Sequence, residues 1–234
     1  MLAAANAQAL WYLTRGTGLV ALVLLTASVV LGIMETSEWS GPHWPRFLTA
    51  GLHRNISLLA TAFLAVHIAT AVLDGFAPIG WLDGVVPFLA GYRPLWLGLG
   101  TVAFDLMVAL VITSLVRRHL GYPAWRAIHW LSYACWPLAL VHGLGTGSDT
   151  SLGWVLVLSL GCLAVAALAV WWRLWKTRSA TPAHPGARAV AVVASVVVPL
   201  AVVVWLFAGP LQPGWAVRAG TPRSDLTATS SGGG

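Results

Sequence analysis

Six stretches of this chain are apolar over twenty or more residues, at roughly 11–34, 50–74, 94–116, 124–146, 151–173 and 188–209. About 20 helical residues cross the hydrocarbon core of a bilayer. Lipid offers the backbone no partners, so only helices and closed barrels can span it. The runs lack the strict apolar–polar alternation that a barrel strand needs. Only 9% of residues are charged and the mean hydropathy is +0.80. A soluble domain carries about 25% charged residues, and this chain could not cover an aqueous surface. The predicted fold class is all-α: an integral membrane bundle of six transmembrane helices.

The few charges predict an orientation. Arg117, Arg118 and Arg126 lie between the third and fourth stretches, and Arg173, Lys176, Arg178 and Arg188 between the fifth and sixth. Basic loops stay cytoplasmic. Six spans then leave both termini outside, and the 50–74 and 124–146 stretches both run from inside to outside. The 35–49 loop, with Glu35, Glu38 and Arg46, falls inside. The expected location is the plasma (bacterial inner) membrane. The net charge of +6 reads as orientation and contact with anionic lipid, with no nucleic-acid partner. Fourteen tryptophans suit a protein with two lipid–water interfaces. Cys135 and Cys162 lie in apolar runs and form no disulfide framework. The first apolar stretch lacks a basic leader and a clear cleavage site, so it reads as a retained span.

Within this frame, four histidines stand out. His53 and His67 are fourteen apart on the second stretch, and His129 and His142 thirteen apart on the fourth. Given the orientation, His53 and His129 fall near the inner ends, His67 and His142 near the outer ends. Fourteen helical residues advance about 21 Å and return to within about 40° of the same face. Thirteen advance about 19.5 Å and miss by about 140°; Pro137, lying between, is the expected site of a compensating kink. Imidazole is an axial ligand of haem iron, and two imidazoles leave no open position. Two pairs at matching depths therefore predict a core holding two b-type haems. His43, His119 and His184 lie in loops and are expected to be solvated.

These histidines, with their spacing and the span between them, resemble the ferric reductase-like transmembrane domain, the family of the NADPH oxidases, the yeast ferric reductases and the haem-bearing subunit of bacterial methionine sulfoxide reductase. The resemblance covers roughly residues 11–175. It implies that His53 pairs with His129 on an inner haem and His67 with His142 on an outer one, with electrons crossing from inside to outside. The expected organisation is a haem-binding core over 1–175, a basic cytoplasmic loop and sixth span over 176–209, and a flexible outer tail over 210–234. The chain departs from the oxidases in continuing into a sixth span with no flavin or nicotinamide site. The glycines of 143–147 (GLGTG) follow a membrane stretch rather than a strand and make no phosphate loop. Electrons must then come from a quinol or a cytosolic flavoprotein. They would pass to a ferric chelate or to a flavin- or molybdenum-bearing partner outside, making the chain the membrane electron-transfer subunit of an oxidoreductase.

Haem propionates want cations. Arg54 and Arg126 at the inner edge, and Arg15 and Arg93 at the outer, are candidate partners through the planar guanidinium fork. Snorkelling of the same side chains to the interface is the alternative. Asp105, in mid-span, is expected to relay protons, to bond a haem ligand, or to sit as a neutral acid beside a hydroxyl. Trp130, Trp136 and Phe63 lie on or between the ligand positions. Two other functions compete. A haem or metal transporter would use the histidines as transient cargo ligands and needs a polar path. A purely structural subunit gives no reason for histidines at matched depth.

Overall fold

The computed structural model of the protein describes residues 2–37, 45–75, 77–178 and 185–222. The described residues form helices and connecting turns, with no strand. Helix α1 spans Leu2–Thr36, α2 Arg46–Leu73, α3 Pro94–Leu115, α4 Arg117–Leu120, α5 Tyr122–His129, α6 Ser132–Thr146, α7 Gly153–Lys176, α8 Pro185–Ala208 and α9 Trp215–Arg218. Five stretches are long and apolar enough to cross a membrane: Gln8–Thr36, Phe47–Leu73, Pro94–Leu115, Gly153–Lys176 and Arg188–Ala208. The remaining expected span, 124–146, is not one helix. It is α5 and α6, separated by Trp130 and Leu131.

That break answers the thirteen-residue problem, and it does not lie at Pro137. The proline sits inside an uninterrupted α6. Instead, the amides of Leu131, Tyr133 and Ala134 bond to carbonyls three residues back, at Ile128, Trp130 and Leu131. Trp130 and Leu131 have ψ of −21° and −16°, close to 3₁₀ values. A 3₁₀ turn winds about 20° more per residue than an α-helix and rises about 0.5 Å more. Three or four such residues add about 2 Å and roughly 60–80°. Thirteen residues then reach almost as far, and face almost the same way, as fourteen α-helical ones.

Two antiparallel helix pairs form the frame. α1 lies along α2, with Thr14 beside His67 and Ser28 beside His53. α3 lies along α6, with Trp96 beside His142 and Ala103 beside Cys135. Trp136, 7% exposed, ties the pairs together by donating its indole N–H to the Thr26 hydroxyl at 2.9 Å. Leu22, Leu25, Ala60, Met107, Leu140, Leu163 and Leu206 share the apolar core. Apolar side chains such as Leu58, Ile112, Val157 and Val204 face outward, as lipid contact requires. Basic residues gather at the His53/His129 end: Lys176 bonds the Ser37 carbonyl, Arg173 the Tyr133 hydroxyl, and Arg117 lies over the Trp125 ring.

Residues 211–222, the described part of the tail, pack on the bundle. α9 brings Trp215 against Trp96 and Trp205, with centroids 5.2 and 6.0 Å away, and its indole N–H bonds the Gly145 carbonyl at 3.0 Å. Residues 223–234 lie outside the described residues.

Candidate functional site

The four histidines meet as two pairs. The ring centroids of His53 and His129 are 6.1 Å apart, with planes at 77°. Those of His67 and His142 are 6.3 Å apart, with planes at 83°. A metal–imidazole nitrogen bond is about 2.0–2.1 Å. Two such bonds in line, with about 1.1 Å from each nitrogen to its ring centre, separate the centroids by about 6.3 Å. Both pairs thus stand at the spacing of two imidazoles sharing one metal atom. No group of three or more His, Cys, Asp or Glu that could hold a metal ion occurs among the described residues. The four histidines come instead as two facing pairs.

Three of the rings are oriented by backbone. His53 Nδ1 lies 2.9 Å from the Ser28 carbonyl, His67 Nδ1 2.7 Å from that of Thr14, and His142 Nδ1 2.9 Å from that of Trp96. A carbonyl only accepts, so each Nδ1 carries the proton and donates, and each Nε2 keeps a free lone pair. This is the usual state of a metal-ligating histidine. The Ser28 hydroxyl also sits 3.3 Å from His53 Nδ1 and 2.6 Å from the Ser57 hydroxyl. His129 differs. Its Nδ1 is buried without a hydrogen-bond partner, and its ring stacks on Trp125 at 4.9 Å.

Glycines open the space in which three rings sit. A methyl group at Gly18 would come within 2.9 Å of the His67 ring, and one at Gly32 within 3.3 Å of His53. At Gly100 it would overlap His142. None of these glycines was singled out by sequence reasoning. The available signal was the fourteen-residue spacing of Gly18 and Gly32, equal to that of His53 and His67.

A cavity of about 280 Å³ lies at the His67/His142 pair, walled by α1, α2, α3 and α6 and bordered by Trp11, Arg15, Asp74 and Asp149. Arg15 pairs with Asp149 at 2.5 Å, bonds the Ser148 hydroxyl, and stacks its guanidinium 3.4 Å over Trp11. Burial pushes the Asp74 carboxyl above its ordinary range, and the nearby Arg15 charge opposes that. Arg93 is 4% exposed and does not border the cavity. It sits in the left-handed region, φ 42°, before Pro94. Its Nη1 donates to the Gly145 and Thr146 carbonyls at 3.1 and 3.0 Å, and its Nε to the Thr221 hydroxyl at 2.9 Å. Burial lowers its basicity, while Tyr92 raises it. Arg54 and Arg126 are exposed at the other end.

Asp105 is exposed on the outside of α3, away from the rings, with no hydrogen bond or ion pair among the described residues. It neither contacts a histidine nor borders the cavity. Trp136 lies between the two tiers, Trp130 is half exposed, and Phe63 is half-buried. His119 is exposed; His43 and His184 lie outside the described residues.

The described residues thus form a helical bundle with membrane-length apolar helices and two facing pairs of imidazoles. The chain belongs to the ferric reductase like transmembrane component family, whose model matches residues 17–140. That match includes His53, His67 and His129 and stops just short of His142. No curated protein and no solved structure matches the chain. The family is associated with haem binding and points to electron transfer in a membrane.

Proposed function

We propose that this chain is a dihaem b-type transmembrane electron carrier, with one haem between His53 and His129 and a second between His67 and His142. The observation that carries the reading is the repeated ring spacing, 6.1 and 6.3 Å, which accommodates two metal–nitrogen bonds at each level. When bound, such a haem supplies one-electron exchange at an iron with no free position. Thr14, Ser28 and Trp96 hold three rings with Nε2 free. Trp136, buried, fills the layer between tiers.

The proposed topology has six spans, α5 and α6 together forming the broken fourth, with both termini outside. The gathering of basic residues at the His53/His129 end supports a cytoplasmic inner tier. Electrons would enter there from a quinol or a cytosolic flavoprotein and leave at the His67/His142 tier. The acceptor would be a ferric chelate or a flavin- or molybdenum-bearing partner. Arg15, beside the outer cavity, is the propionate partner best sited. Arg93 is held by the Gly145 and Thr146 carbonyls and by Thr221, and Arg54 and Arg126 would serve the inner edge. The transporter alternative gains nothing from Asp105, which faces away from the core.

Haem per chain in purified protein, with the reduced-minus-oxidised spectrum, tests the reading. The expected result is two b-type haems in the wild type and one after His67→Ala. A wild type without haem overturns it, and retention of both haems in His67→Ala overturns the pairing.

A further inference from the structure

The three backbone-oriented histidines share one arrangement. His67 bonds the carbonyl of Thr14 and lies over Gly18; His53 bonds that of Ser28 and lies over Gly32; His142 bonds that of Trp96 and lies over Gly100. Each time the glycine is four residues after the carbonyl, on the same helix. The physical reason is local. A helix carbonyl points along the axis toward the amide four residues on, so a side chain at that later position shields it. With only hydrogen there, an imidazole from a neighbouring helix can reach the carbonyl's second lone pair.

On α1 the arrangement repeats after fourteen residues, Thr14/Gly18 then Ser28/Gly32. On α3 the same step from Trp96/Gly100 leads to Leu110 and Ser114. The fourth place therefore has a side chain, and the Ser114 hydroxyl accepts the Trp125 indole N–H at 3.2 Å. His129, the histidine that belongs to this place, is the one whose Nδ1 has no partner and which stacks on Trp125.

We infer that Gly18, Gly32 and Gly100 are positioning residues, each admitting one histidine to a helix carbonyl, and that Ser114 withholds this from His129, leaving it the least constrained ligand of the four. The inference rests on the haem reading for its consequence but not for its geometry. Loss of a partner that orients a metal ligand typically costs about 10–100-fold in affinity. Gly100→Ala should therefore weaken haem at the outer tier by at least about tenfold. Gly161→Ala, whose methyl would meet nothing within 4 Å, should leave both tiers loaded.

The test has two arms on the full-length protein. Haem titration with low-spin electron paramagnetic resonance on wild type, Gly100→Ala and Gly161→Ala should show selective loss of one low-spin signal in Gly100→Ala. Histidine ¹⁵N solid-state NMR on haem-free protein should show Nδ1–H for His53, His67 and His142, a different state for His129, and loss of the His142 signature in Gly100→Ala. Unchanged titration and unchanged tautomers in Gly100→Ala overturn the inference. If the wild type binds no haem, the haem reading fails, and the NMR arm alone decides the cradle.

Discussion

Arg93 offers the sharpest test of how the His67/His142 end is held. Replacing it with methionine keeps length and apolar volume and removes the guanidinium. Three hydrogen bonds go: to the Gly145 and Thr146 carbonyls at the end of α6, and to Thr221 in the docked tail. A hydrogen bond to a charged group contributes about 1.5–3 kcal/mol. The three are not additive, because the Gly145 carbonyl keeps the Trp215 indole and Arg93's backbone amide keeps the Gly220 carbonyl at 3.1 Å. A loss of about 3–4 kcal/mol follows, and for a chain this size each kcal/mol moves Tm by about 2–4 °C. Thermal unfolding in detergent should then fall by roughly 6–16 °C. Trypsin should cleave after Arg218 at a temperature where the wild type resists. A fall below about 2 °C with the tail still protected would refute the reasoning.

Two further outcomes follow from the geometry. Pro137→Ala should leave haem content unchanged, because the change of helix pitch lies at residues 128–135 and α6 runs through the proline; loss of the inner tier, read from haem per chain, would place the compensation at the proline after all. Asp74 binds its proton more tightly folded than unfolded, so stability should fall as pH rises from the ordinary carboxylate value through the raised one. Asp74→Asn should flatten that slope in Tm against pH, and an unchanged slope counts against a buried carboxyl there.

The membrane class and the helix positions were legible because lipid imposes one rule on every residue in a span: twenty apolar positions in a row leave few alternatives. Which histidines share a level was legible too, since a helix converts residue number directly into depth. What faces what was not. Hydropathy could not distinguish one fourth span from α5 and α6, because the break costs no apolar residue and is marked by no glycine. Pro137 was the natural suspect from its chemistry, yet the pitch changes earlier, where three amides bond to carbonyls three residues back. Arg93 and Arg15 looked equivalent in the sequence. Their contrasting roles depend on where residues more than fifty positions distant come to lie.

The sequence by itself determined a helical membrane protein with four histidines at two depths, since composition and helical rise suffice for both. Only the tertiary structure decided how those rings are aimed. Aim depends on backbone carbonyls, which every residue carries and no sequence pattern marks, and on the glycines that lie beneath three of the rings.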